Sequence, residues 1–152
     1  MVCLGNICRS PMADGLLRKK VKEHELNVYV DSAGTANYHI GSAPDSRMIE
    51  TARLRGTDIG TLKARQFKSS DFHDFDLIYV MDESNLNNVL KLSQSNSDNQ
   101  KVKLILDEIH PNQKRHVPDP YYGTMNDFMA VYDLLDEVTQ KIIEKIKDGK
   151  IR

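Results

Sequence analysis

Cys3-Leu4-Gly5-Asn6-Ile7-Cys8-Arg9-Ser10-Pro11 sets a cysteine six positions ahead of an arginine, followed at once by a serine and a proline. Ser10 suits a helix N-cap, and Pro11 suits the first helical turn, where its missing N–H costs nothing. The stretch therefore reads as a loop ending at a helix N-terminus. The backbone N–H groups of such a loop point inward and the helix adds its positive dipole end, which together make an anion site. Gly5 permits close backbone approach or a positive φ. Arg9 supplies a planar fork matched to two oxygens of a phosphate. The same field favours a thiolate at Cys3, the nucleophilic form of the side chain. A thiolate at the floor of a phosphate cradle can form a phosphocysteine. Taken alone, this short motif also fits a buried strand cysteine followed by an ordinary helix.

The rest of the composition narrows the setting. A chain of 152 residues predicts one domain, residues 1–152, with a sizeable core. A hydrophobic content of 39% with 28% charged residues fits a water-soluble globular protein. The net charge of −1 gives no reason to expect nucleic acid or an anionic membrane as partner. No apolar run approaches the ~20 residues needed to span a bilayer. With no basic-then-apolar leader, a cytoplasmic protein is the expectation. Cys3 and Cys8 do not make a secreted disulfide framework. As a lone Cys-x4-Cys pair they are also a poor zinc site, so no metal is expected.

Strand, helix and turn signals follow in order from the loop. Only Met1 and Val2 precede Cys3, whereas strands usually run ~5–6 residues. The expectation is a shortened central strand, or a natural start further upstream. Ala13, Leu16, Leu17 and Val21 repeat at helical spacing within a helix over 11–25. Val28-Tyr29-Val30 reads as a short strand and 31–44 as loop. Asp45 can cap a helix to about Arg55, with Met48, Ile49 and Ala52 inward and Gly56 as its stop. A short helix is expected near Ser70. Leu77 to Met81 is continuous enough to be a strand buried on both faces, and Asp82 then caps a helix to about Leu92. Ser93 to Gln100 reads as solvated loop, Val102 to Leu106 as the fourth strand. A long loop follows over 107–123, of a length that is usually functional. The apolar stripe Phe128, Val131, Leu135, Val138, Ile142 and Ile146 marks a helix over 126–147 whose simplest role is core packing.

This alternation predicts an α/β fold: one twisted, four-stranded parallel sheet with helices on both faces and the phosphate-binding loop at the end of the first strand. Ligands in such folds sit at the carboxyl ends of the strands. Cys3, the loop after Val30 and Asp82 all fall at such ends.

The long loop carries Val117-Pro118-Asp119-Pro120-Tyr121-Tyr122-Gly123. Two prolines stiffen the backbone on either side of one carboxylate. Phosphoryl transfer to a thiolate needs a proton on the leaving oxygen, and a fixed Asp119 can supply it. Tyr121 and Tyr122 can wall a pocket for an aromatic substrate. Alone, the same residues equally describe a turn with two surface tyrosines.

Together these stretches resemble the low-molecular-weight protein tyrosine phosphatases. The shared stretches are Val2 to Pro11, Asp31-Ser32-Ala33-Gly34-Thr35, Lys63-Ala64-Arg65-Gln66, Asp76 through Met81-Asp82-Glu83-Ser84-Asn85-Leu86, and Asp119 to Gly123. They stand in family order across nearly the whole chain.

The resemblance implies a two-step hydrolysis without metal or cofactor. Cys3 would be the nucleophile, Arg9 the clamp on the transferring oxygens, and Asp119 first acid and then base. Leu4, Gly5, Asn6, Ile7, Cys8 and Ser10 would form the phosphate-binding loop. Ser10 would donate to the sulfur and Asn6 would hold the loop in shape. Ser32 would join that network, and Asp82 would steady Arg9. Tyr38, Tyr121 and Tyr122 would line the pocket mouth. Cys8 matches a second loop cysteine able to form a reversible disulfide with the nucleophile; a small buried hydrophobe is the other reading. The implied substrate is a tyrosine-phosphorylated protein or a small aryl phosphate, and oligomeric state stays open.

Three departures stand out. The first strand is nearly absent. Leu62 occupies a position where many members carry histidine, which predicts a smaller polar network. Tyr38 and His39 replace residues that vary in the family, leaving substrate preference open, and a lone loop histidine is ordinarily just solvated. Two other functions compete. Thiol-dependent arsenate reduction on this fold passes oxidation to further cysteines, and none follows Cys8. A cysteine phosphocarrier would need no acid on a rigid loop, so Asp119 argues against it.

Overall fold

The computed structural model describes residues 1–151. Four parallel strands form one sheet in the order β2-β1-β3-β4. They are β1 (Val2–Cys3), β2 (Ala33–Gly34), β3 (Ile78–Val80) and β4 (Val102–Leu104). Around them lie α1 (Arg9–Glu23), α2 (Ser46–Leu54), α3 (Asp71–Asp74), α4 (Glu83–Leu90), α5 (Asn96–Gln100) and α6 (Met125–Lys147).

Alternation along the strands sorts the core into two layers, because successive side chains leave opposite faces of a sheet. Cys3, Tyr79 and Met81 join the layer packed by Met12, Met48, Leu135 and their neighbours on α1, α2 and α6. Val2, Ile78 and Val80 join the other, with Phe67, Phe72 and Val89. Helices thus cover both faces, as the alternating pattern predicts. The α6 stripe supplies Phe128, Leu135 and Ile142, all essentially buried. Each contributes roughly 1.5–3 kcal/mol of burial. Among the described residues, no helix is long and apolar enough to cross a membrane.

Several boundaries differ from the sequence reading, each for a local reason. The second strand lies at Ala33–Gly34, not at Val28–Val30. Parallel register sets Val2 beside Ala33, so Val28–Val30 run past the start of β1 and have no strand to pair with. Tyr29 stacks instead on Phe75 at 5.9 Å between ring centroids. Residues 96–100, read as loop, form α5: Ser95 caps it by accepting from the Asp98 N–H at 3.1 Å. Its residues are all polar, so no apolar periodicity announces it. The fourth strand stops at Leu104 and tightens into a 3₁₀ turn over Ile105–Glu108, which shortens the long loop from its N-terminal side.

Candidate active site

Cys3 ends β1, and the chain then turns through residues 4–8 into α1, which begins at Arg9. The reading of Ser10 as N-cap is corrected here. Cys8 holds the cap position without a side-chain bond, and Ser10 lies inside the first turn. Its hydroxyl is recruited elsewhere. Ser10 Oγ sits 3.0 Å from Cys3 Sγ and accepts from Asn6 Nδ2 at 2.7 Å. Toward a Cys3 thiolate, which can only accept, the Ser10 hydroxyl is the donor. The Asn6 backbone N–H also donates to Cys3 Sγ, at 3.3 Å. Two donors on one sulfur are placed to stabilise negative charge there.

Asn6, rather than Gly5, carries the left-handed backbone of the loop, at φ 57°. Asparagine tolerates that region better than most residues, and here its side chain is fully engaged. Nδ2 also donates to Ser32 Oγ at 3.0 Å, and Oδ1 accepts from the Arg65 backbone N–H at 3.0 Å. Ser32 is therefore in the polar network. Leu62 is outside it and packs against the core. The network closes through Arg65 instead, whose guanidinium bridges Asp31 at 3.0 Å and Asp71 at 2.9 Å. Gly5 serves by close approach: a Cβ there would meet His39 Cδ2 at 3.1 Å. Gly34 is the tighter case, because a Cβ on it would lie 2.7 Å from the Leu4 carbonyl oxygen.

Arg9 is buried, 3% exposed. Its Nη1 donates to Asp82 Oδ2 at 2.7 Å and to the Val117 carbonyl at 3.1 Å. Asp82 spends its other oxygen on the Asn85 N–H at 2.8 Å, capping α4. Arg9 Nη2 faces Asp119 Oδ2 at 3.6 Å, an ion pair too long for a hydrogen bond. The Asp119 loop is anchored where the Val117 N–H donates to the Met81 carbonyl at 2.9 Å. An Asx turn sets the carboxylate, with Oδ1 accepting from the Tyr121 N–H at 3.1 Å.

These groups converge on a cleft of about 200 Å³ lined by Cys3, Cys8, Arg9 and Asp119, with Leu4, Gly5 and Ile7 from the loop. Tyr38, Tyr121 and Tyr122 also line it. Tyr121 and Tyr122 meet edge to face at 4.9 Å, and Tyr121 lies beneath the Arg47 guanidinium, 5.4 Å from its ring centroid. Burial, reinforced by the charges of Asp45, Cys3 and Asp119, pushes the Cys8 thiol well above its usual range. Cys8 is therefore held as a neutral thiol, and both cysteines are free.

Four participants lie outside the sequence reading. His39, read as a solvated loop histidine, lines the cleft and packs on Gly5. Its place after Tyr38 is the only hint the sequence gives. Gly34 and Arg65 fall in stretches singled out above, without a role attached. Arg47 carries no signal beyond its spacing from Asp45.

A cysteine thus closes the first strand of the parallel sheet, with a buried arginine one loop away and a carboxylate facing that arginine. The description "Low molecular weight phosphotyrosine protein phosphatase" matches residues 1–151. The human low molecular weight phosphotyrosine protein phosphatase is 40% identical over 147 residues, covering 95% of this chain and 92% of the human one. A protein tyrosine phosphatase from Entamoeba histolytica, solved with Hepes in its active site, superposes with a TM-score of 0.91 at 38% identity, covering 99% of this chain and 96% of that one. Vibrio vulnificus Wzb, solved in complex with benzylphosphonate, gives 0.84 at 31% identity, covering 95% of this chain and 94% of that one. The chain belongs to the low-molecular-weight phosphotyrosine protein phosphatase family, and it is a protein tyrosine phosphatase.

Proposed function

We propose that the whole chain acts as one phosphatase domain that hydrolyses phosphotyrosine and small aryl phosphate monoesters through a phosphocysteine at Cys3. The observation that carries this reading is the sulfur of Cys3 with its two donors, Ser10 at 3.0 Å and Asn6 at 3.3 Å, in the cleft that also holds Arg9 and Asp119.

In the first step the Cys3 thiolate attacks phosphorus and the P–O bond to the aryl group breaks. Asp119 gives its proton to the departing phenolate oxygen. Arg9, fixed by Asp82 and Val117, holds the equatorial oxygens as their charge redistributes. In the second step Asp119, now a carboxylate, takes a proton from water as that water attacks phosphorus. The S–P bond breaks, inorganic phosphate leaves, and the thiolate returns. The Ser10 hydroxyl stabilises the sulfur as leaving group. Every proton and electron pair is accounted for without a cofactor.

An aromatic ester suits the walls. Cys3 is 3% exposed, so phosphate must be carried down past Leu4, Tyr38 and Tyr121. A phenyl ring is long enough to do so and presents faces to the tyrosines. The benzylphosphonate held by Vibrio vulnificus Wzb has that shape. Two free cysteines suit a reducing compartment, and the cytoplasm is the setting proposed.

Incubation of the purified protein with an aryl phosphate tests the reading. Sustained multiple turnover is expected. Phosphorylation that stops at one equivalent would make Cys3 a carrier instead.

A further inference from the structure

A second depression opens beside the cysteine cleft and shares its rim residues Leu4 and Tyr38. It runs between the turn at Thr35–Tyr38 and the end of α4, and measures about 390 Å³. Its wall is preformed: the Ala36 N–H donates to the Leu4 carbonyl at 2.9 Å, and Gln66 Nε2 donates to the Thr35 carbonyl at 3.2 Å. Apolar surface is left open on both sides, with Leu4 40% and Leu92 42% exposed. Among the described residues Lys91 is the one charged side chain lining the groove. Its Nζ reaches only the neutral Asn88 Oδ1, at 3.3 Å.

We propose that this groove binds the stretch of a phosphoprotein substrate that flanks the phosphotyrosine, seating an apolar side chain against Leu4 and Leu92 and an acidic one against Lys91. The proposal rests on the phosphatase reading of the Cys3 cleft. Continuity argues for this occupant, because a peptide whose phosphotyrosine fills the cleft must leave over the shared rim. In an extended peptide, side chains on one face recur every second residue, roughly 6.5–7 Å apart. The groove begins at that rim, so the residues next to the phosphotyrosine reach it first. Charge argues for the same occupant, because a lone cation beside open apolar surface favours an acidic, partly apolar flank.

Phosphopeptides carrying Leu and Glu, Gly and Gly, or Leu and Lys on one side of phosphotyrosine, and then on the other, test it against phenyl phosphate. The expected result is a kcat/KM about 10-fold higher for Leu and Glu than for Gly and Gly, on one side only. Lys91→Glu should remove that advantage and favour the Leu and Lys peptide, with phenyl phosphate turned over as before. Leu92→Ser should lower kcat/KM for both Leu-bearing peptides and not for phenyl phosphate. Peptides that agree within about twofold, or a preference that survives Lys91→Glu, would overturn the proposal while leaving the phosphatase reading intact. Failure to turn over even phenyl phosphate would overturn the phosphatase reading and this proposal with it.

Discussion

Buried Arg9 pairs with a partly exposed Asp82, whose one carboxylate does two jobs. Asp82 Oδ2 accepts from Arg9 Nη1 at 2.7 Å, while Oδ1 caps α4 through the Asn85 N–H at 2.8 Å. The guanidinium proposed to clamp phosphate is therefore oriented by the same side chain that starts the helix after β3. Removing it leaves a buried guanidinium short of a partner.

Asp82→Ala should lower stability by about 2–4 kcal/mol, combining ~1 kcal/mol for the cap with the cost of unpairing a buried charge. It should also lower kcat/KM by about 10–100-fold, because Arg9 loses its orientation. Asp82→Asn keeps one acceptor and puts an NH2 donor where the other oxygen was, so it can hold the α4 cap or the Arg9 bond but not both; it should recover part of the stability and less of the rate. Thermal melts and steady-state kinetics on both variants check this. Equal rates in Asp82→Asn and Asp82→Ala with equal melting temperatures would remove the pairing from the account.

Gly34→Ala forces a Cβ to within 2.7 Å of the Leu4 carbonyl oxygen. Neither backbone can yield without moving the loop around Cys3. The expected result is a loss of about 1–3 kcal/mol of stability, typical of overpacking. A kcat deficit should persist at temperatures where the variant is fully folded. Normal kcat in the folded variant would show that the loop tolerates the shift.

Cys8 should act as a trap for oxidised Cys3. Peroxide converts the Cys3 thiolate to a sulfenic acid, and attack by the Cys8 sulfur forms a disulfide with release of water. Burial and neighbouring negative charge hold Cys8 as the thiol, so it is the slower of the two to meet peroxide itself. Reductant should restore activity in the wild type and restore less in Cys8→Ser. Equal recovery in both would take Cys8 out of the argument.

Away from the cleft, Glu108 accepts from Tyr79 at 2.7 Å and pairs with Lys145, tying β3 to α6. Burial alone would raise its pKa; the bonds from Lys145 and Tyr79 outweigh that and hold the carboxyl below its ordinary value of 4.5. A depressed folded-state pKa contributes stability above the unfolded value and loses it as pH falls through the folded value. The melting-temperature gap between wild type and Glu108→Gln should therefore be widest at neutral pH and shrink below about pH 4.5. A gap independent of pH would contradict this.

Much of this was legible in the chain, and what was not has physical causes. Cys3, Arg9 and Asp119 stand out because few chemistries need that set of residues, and helical periodicity marks α1 and α6. Strand β2 was displaced because pairing register, not β propensity, decides which part of 28–34 joins the sheet. Ser10 looked like a cap because a serine before a proline usually is one; the nearby sulfur and Asn6 claim its hydroxyl instead. Asn6 adopts the left-handed turn although Gly5 is adjacent, since only Asn6 brings a side chain that ties the turn to Ser32 and Arg65. The roles of Gly34 and His39 depend on contacts with residues about 30 positions away, which no local pattern reveals.

In the proposed mechanism Asp119 protonates the leaving oxygen while Cys3 takes the phosphoryl group. Single-turnover kinetics across a series of leaving groups, with wild type and Asp119→Ala, tests it most directly. A poor leaving group needs the proton and an acidic phenol hardly does. Asp119→Ala should slow phosphoenzyme formation from phenyl phosphate by on the order of 10²–10⁴, and far less from an activated ester. A loss of the same factor across the whole series would contradict it.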